Sequence, residues 1–190
     1  MTGKTHQVIG MTAGLASFLI ATSPHYQPAS LAGVLVVSCI GSLLPDIDQP
    51  GSRLWNALPF GHIGGELVNP FLAHRNLTHS FLGYGIVCYG MYRLLLLAPL
   101  YWGLGRHYVF IAFAIAYGSH ILADMLTVEG VPLLFPNQHM FGIPPHPFQG
   151  LRIETGHWFE NLLIFPLVNA GFIVVIVHYW SVIRTTLFLP

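Results

Sequence analysis

Apolar runs alternate with polar stretches along this chain, and the spacing of the runs predicts helices. The first run is "VIGMTAGLASFLIA", Val8 to Ala21, after the polar start "MTGKTHQ" and ahead of Pro24. The second is "SLAGVLVVSCIGSLL", Ser30 to Leu44. Each holds about 15 residues, so its helix is roughly 22 Å long. A hydrocarbon core is about 30 Å thick, so these helices either start in their flanking residues or thin the bilayer. The third run covers Phe81 to Leu97 and is interrupted by Arg93, which is placed to snorkel towards an interface. The fourth is Tyr108 to Leu126, and the fifth is Asn161 to Ile183, with Pro166 near its start. Between them lie two polar segments, Pro45 to Ser80 and Thr127 to Trp158, the second rich in Pro, Gly and His and expected to form an ordered loop. The small residues Gly10, Ala13, Gly14, Ala16 and Ser17 suit close helix packing. "APLYWGLGRH" has the residues of a turn at a membrane surface.

Composition turns this pattern into a class. Of 190 residues, 54% are hydrophobic and only 7% are charged. A soluble domain has about a quarter charged residues. The chain therefore reads as one integral membrane domain, 1–190. Its expected fold is all-α, a bundle of about five helices. The poor cleavage site after the first run argues for a retained helix rather than a signal peptide. A net charge of zero excludes nucleic acid held through its phosphates. Cys39 and Cys88 both lie in apolar runs and read as core residues. The 11 histidines outnumber the 7 lysines and arginines together, which asks for a chemical reason.

If the chain crosses once per apolar run, the polar residues sort to one side. His6, Asp46, Asp48, Glu66, His74, Arg75, His79, His120, Asp124, His157 and Glu160 all fall at the same membrane face. So do all 7 acidic residues. Lys4, Arg53, Arg75 and Arg152 lie on that side against Arg93, Arg106 and Arg184 on the other, a slight bias that places the polar face in the cytoplasm.

Four stretches carry candidate chemistry. His120 and Asp124, at i and i+4, share one helix face and suit chelation of one metal ion; a local hydrogen bond between them is the plainer alternative. Asp46 and Asp48, in "PDID", concentrate negative charge at a helix C-terminus, against its dipole, and call for a cation. In "HRNLTHS", Thr78 is placed to cap the third helix with His79 in its first turn, and Arg75 can grip a phosphate or carboxylate in a fork. His157 and Glu160, at i and i+3, open the last helix; Glu160 also suits the dipole there. His6 stands alone before the first helix, and His74 and Glu66 are candidate catalytic groups.

"MTGKTH", "LLPDID", "HRNLTHS" and "GSHILADMLTVEG", in that order, resemble the YdjM-type inner-membrane proteins, a family identified with metal-dependent hydrolysis. The resemblance runs from His6 to about Glu160. It implies a multi-pass protein of a bacterial or archaeal inner membrane, with His6, Asp46, Asp48, His74, His79, His120 and Asp124 as the matching polar positions. A remoter similarity is to the zinc-dependent phospholipase C and nuclease fold. It implies a cluster of two or three zinc ions, with Mn2+ or Mg2+ as alternatives, on His6, Asp46 or Asp48, His79, His120, Asp124, His157 and Glu160. The late pair is spaced by three in this chain and by four in that fold.

The function expected is a membrane-embedded hydrolase that cleaves a phosphoester of a lipid or lipid-linked substrate with a metal-activated water. Arg75 would bind the substrate, and membrane lipids would be its partners. A metal-free lipid phosphatase would need an arginine where Ala114 stands. The alternative is a metal or proton transporter, or a non-catalytic membrane protein. Transport calls for polar groups at the midplane and on both sides, and this chain masses them on one.

Overall fold

The computed structural model describes residues 1–21, 27–49, 51–57, 59, 61, 63, 65–66, 77–99 and 103–188. The helices are α1 (Gly3–Ile20), α2 (Pro28–Leu43), the short α3 (Arg53–Asn56), α4 (Phe81–Leu97), α5 (Arg106–Met125), α6 (Phe165–His178) and α7 (Trp180–Phe188). No strand occurs among the described residues. Two isolated bridges, Thr127 with Ile153 and Val131 with Phe141, tie the second polar segment to itself. The fold is thus an all-helical membrane bundle.

The first two helices do start in their flanks. α1 begins at Gly3, so His6 lies inside the helix and not ahead of it. α2 begins at Pro28, whose missing N–H and fixed φ suit the first helical position. α2 then tightens into a 3-10 turn, Leu44–Asp48. Three described helical segments are long and apolar enough to cross a membrane: Pro28–Asp48, Arg106–Met125 and Glu160–His178. α4 is apolar but shorter, at 17 residues. The fifth apolar run is not one uniform helix. Glu160–Ile164 forms a π-helical turn ahead of α6, and Tyr179 separates α6 from α7. The wide turn has a cause in Pro166, which has no N–H to give and whose ring would crowd the carbonyl one turn back.

α5 is the central helix. Val109, Ala112, Phe113, Ala116 and Tyr117 are fully buried, packed with Leu15 and Phe18 of α1 and Leu31 and Val34 of α2. Small residues let the backbones meet. A Cβ on Gly14 would run into the side chain of Ser38 and the carbonyl of Ala112, and one on Gly10 into Ser42. Outward faces are apolar, as they must be where the solvent is lipid. Leu94 and Leu97 of α4 and Val174 and Val177 of α6 are exposed, and in the Glu160–His178 segment Glu160 alone is fully buried, with Phe172, Val175 and Ile176 half-buried against the core.

The second polar segment is ordered, as its Pro and Gly content predicted, and it caps α5. Ile143 N–H donates to Met125 C=O at 2.7 Å and Ile153 N–H to Leu126 C=O at 2.9 Å, which satisfies carbonyls that a helix end leaves open. Phe81 N–H donates to Leu133 C=O at 3.0 Å, joining the start of α4 to the same cap.

Gly14→Val should destabilise the bundle by about 1–3 kcal/mol through overpacking. Gly90→Ala, at an exposed position with open space where a Cβ would sit, should be neutral or slightly stabilising. Thermal unfolding of both variants in detergent checks the contrast; equal effects would refute the dependence of the bundle on close packing at Gly14.

Candidate metal centre

Four elements deliver their polar ends to one place. The start of α1 brings His6, the 3-10 turn after α2 brings Asp46 and Asp48, the turn before α4 brings His79, and the last turns of α5 bring His120 and Asp124. All six are buried. Two groupings of ligand atoms form there: Asp46 with His79 and His120, and His6 with His120 and Asp124.

The distances around the first grouping are close and regular. His79 Nε2 and His120 Nε2 are 3.3 Å apart. Asp124 Oδ2 is 3.4 Å from His79 Nε2 and 3.5 Å from His120 Nε2. Asp46 Oδ1 is 3.8 Å and 3.6 Å from the same two nitrogens. Four ligands at tetrahedral corners around zinc, with bonds of about 2.0–2.2 Å, lie about 3.3–3.6 Å from one another. Four of these five separations fall in that range, and the fifth, at 3.8 Å, is slightly longer.

Hydrogen bonding behind the rings decides which nitrogens face inward. His120 Nδ1 is 2.7 Å from the Ser42 carbonyl, which can only accept, so Nδ1 carries a proton, and in the neutral ring Nε2 is left with its lone pair. Thr78 Oγ1 donates to Asp48 Oδ2 at 2.9 Å. Its one proton is thereby used, so at 3.2 Å it accepts from His79 Nδ1. In the neutral His79 ring Nε2 is likewise left with its lone pair. The two Nε2 atoms and two carboxylate oxygens converge. In an apolar interior that arrangement needs positive charge, which a proton on an imidazole or a metal cation supplies. The donor set, two neutral imidazoles and two carboxylates with their outer nitrogens held, suits a divalent metal.

Asp46 and Asp48 do not share one cation as equals. Asp46 faces the cluster, while Asp48 sits behind His79, its Oδ2 4.0 Å from Nδ1 and bridged by Thr78. Asp48 is placed to orient a ligand and lies outside both groupings of ligand atoms. Thr78 is not the cap of α4. Ser80 takes that role, its Oγ accepting from Gly83 N–H at 3.1 Å, which leaves His79 just ahead of the helix.

Glu160 was expected among the ligands, and the structure gives it other partners. It is fully buried, and its Oε1 accepts from Thr2 N–H (2.8 Å), Thr2 Oγ1 (2.7 Å) and Thr5 Oγ1 (2.6 Å). Its Oε2 accepts from Gly156 N–H at 2.8 Å. Glu160 therefore fastens the first turn of α1, and with it His6, to the start of the last helical run. His157 is exposed and pairs with Glu154 at 2.8 Å, away from the cluster. Glu66 is exposed as well. His74 and Arg75 lie outside the described residues. The supporting residues Ser42, Thr78, Thr2 and Thr5 were missed as such. Only Thr5 and Thr78, each directly before a candidate histidine, gave any signal in the sequence.

Asp124 uses its two oxygens differently. Oδ2 faces His79 and His120, and Oδ1 faces His6 Nε2 at 3.0 Å and the Met1 amino group at 2.5 Å. The His6 ring stacks on His120, with centroids 3.6 Å apart and planes 13° apart.

Fold and site together define a multi-pass helical membrane protein with a buried histidine–aspartate centre at one end of its bundle. The chain belongs to the YdjM inner membrane protein family, whose description matches residues 1–187. It is 31% identical to the inner membrane protein YdjM of Escherichia coli (strain K12) over 144 residues, 76% of this chain and 70% of that protein. The Shigella flexneri protein of the same name matches equally. YvsG of Bacillus subtilis (strain 168) is 28% identical over 172 residues, 90% of this chain and 92% of that one. No solved structure matches the chain. The similarity to the zinc-dependent phospholipase C and nuclease fold thus finds no support, and the placement of His157 and Glu160 departs from it.

Two substitutions test the roles of the supporting residues. Thr78→Val should cost about 1–3 kcal/mol, because a buried carboxylate loses a donor, and Thr78→Ser should restore most of it in denaturation experiments. Glu160→Gln should leave bound metal in place while lowering the melting temperature. Loss of metal in that variant, with the fold retained, would make Glu160 a ligand after all.

Proposed function

We propose that this protein is a membrane-embedded metal-dependent hydrolase that cleaves a phosphoester of a lipid or lipid-linked substrate. The observation that carries the reading is the convergence of His79 Nε2 and His120 Nε2, 3.3 Å apart, on Asp46 Oδ1 and Asp124 Oδ2, each 3.4–3.8 Å from both nitrogens, with both histidines held by their outer nitrogens. A divalent ion held there, zinc foremost and Mn2+ or Mg2+ as alternatives, would supply a Lewis acid and, with a water as fifth ligand or in place of one carboxylate, a nucleophile near neutral pH. Thr78 and Ser42 hold the outer nitrogens of His79 and His120 and so aim both Nε2 atoms at the ion. Asp46 and Asp124 offset the charge of the ion, and the surrounding apolar helices keep bulk water out. Asp46 is the most exposed of the four ligand side chains, at 11%, so substrate would approach from its side.

The phosphoester preference rests on the carboxylate-rich ligand set and on Arg75, which suits fork-like binding of a phosphate. A lipid substrate fits a centre carried on the ends of membrane helices. A second reading has its own observation. His79, His120 and Asp124 are at most 1% exposed, as in structural sites where the protein supplies every ligand. In that reading the ion staples the bundle and performs no chemistry.

One experiment separates the two. The purified protein is stripped with chelator, reloaded with zinc, and assayed with bis-p-nitrophenyl phosphate and with vesicles of phosphatidylglycerol. Hydrolysis lost on stripping, restored by zinc, and reduced beyond the about 10–100-fold range of outer-shell changes in His120→Ala supports the hydrolase. Metal binding with no hydrolysis, and a melting temperature that falls on stripping, supports the staple. Full hydrolysis without metal sinks both.

A further inference from the structure

α4 meets the described bundle chiefly through α5, and the seam between the two helices is incompletely filled. A cavity of about 330 Å3 lies there, walled by Phe81 and Tyr84 of α4, by Gly118, Leu122 and Met125 of α5, and by Leu133 of the second polar segment. That volume falls within the range of about 300–1,000 Å3 found for small-ligand sites. The cavity opens outward, since Phe81 and Leu122 are each 61% exposed.

Its walls are apolar and fixed. The one oxygen among these side chains, the Tyr84 hydroxyl, donates to the Ala114 carbonyl at 3.2 Å. Phe81 N–H is held by Leu133 C=O. Gly118 keeps the space open. A glycine inside a helix costs about 0.5–1 kcal/mol relative to alanine. At Gly10 and Gly14 the close approach of α2 requires it. At Gly118 no neighbour does, because the nearest atoms to a Cβ there belong to the Tyr84 side chain, at 3.7 and 3.9 Å, an ordinary contact. What the missing side chain provides at Gly118 is room.

We infer that this groove binds one acyl chain of a bilayer phospholipid as a lasting ligand. An apolar recess with nothing in it forfeits dispersion contacts along its walls, and a flexible hydrocarbon chain restores them. Water would find no polar partner there. The groove lies roughly 140° around α5 from His120 and Asp124, so its occupant stands beside the metal centre and does not enter it. The chain acts on α4 instead. The seam begins at Phe81, two residues after His79, so filling it steadies the helix start that carries this ligand. The inference holds whether or not the centre performs hydrolysis.

The test reads lipid contact directly. The parent protein is placed in vesicles of phosphatidylglycerol that contain a fraction of the same lipid with a photoactivatable diazirine on one acyl chain. After irradiation, adducts are mapped by mass spectrometry. They should concentrate at Phe81, Tyr84, Leu122 and Met125. An even spread over exposed residues such as Leu94, Leu97, Val174 and Val177 overturns the inference. Two variants separate space from helix propensity. Gly118→Ala leaves most of the groove open and should keep the labelling pattern. Gly118→Leu fills the groove, and labelling at the four wall residues should fall to the level at Leu94 and Leu97. Phosphatidylglycerol added to delipidated protein in detergent should raise the melting temperature of the parent and of Gly118→Ala, and leave that of Gly118→Leu unchanged. Undiminished labelling in a folded Gly118→Leu also overturns the inference. If Gly118→Leu fails to fold, the labelling pattern of the parent decides alone.

Discussion

The inner nitrogens of two histidines and the oxygens of two carboxylates point at one another inside an apolar bundle, and positive charge between them is what makes the arrangement stable. Much of the surrounding structure holds it in place. Ser42 and Thr78 fix the protons on the far sides of the rings. Asp48 secures Thr78, and Glu160 secures the turn that carries His6. Each supporting group is itself hydrogen-bonded, which is the condition for keeping polar atoms in a low-dielectric interior. Burial makes the centre costly to build and strong once a cation is in it.

Helix packing is what brings the ligands together. α1, α2 and α5 pack against one another, and their close approach depends on Gly10, Gly14 and their serine neighbours in α2. A lateral shift of α1 by one larger side chain would move His6 away from Asp124. The second polar segment completes the arrangement from the other side, by capping the carbonyls at the end of α5 and tying in the start of α4. The same contacts that satisfy the backbone also set the positions of His79, His120 and Asp124. Packing and chemistry are thus one constraint. The lipid-facing sides of α4 and α6 carry no such demand and are simply apolar.

Membership of the YdjM inner membrane protein family agrees with this architecture and leaves the chemistry to the site itself. The polar residues are gathered at one end of the bundle instead of being spread through it.

Class, helices and polar face were all legible in the order of the amino acids. Low charge and long apolar runs left no alternative to a membrane bundle, and alternation of crossings put His6, Asp46, His79, His120 and Asp124 on one side. HxxxD spacing was legible because helical periodicity is local. How the polar residues divide into ligands and supports emerged only from the packed helices. Asp46 and Asp48 are two residues apart and indistinguishable by type, yet the 3-10 turn aims one at the cluster and the other at Thr78. Glu160 looked like a ligand by its spacing from His157, but its four partners come from Thr2, Thr5 and Gly156. Spacing along a chain reports which residues share a helix face. It does not report which atom of another helix stands opposite, and in a buried site that opposite atom sets the role.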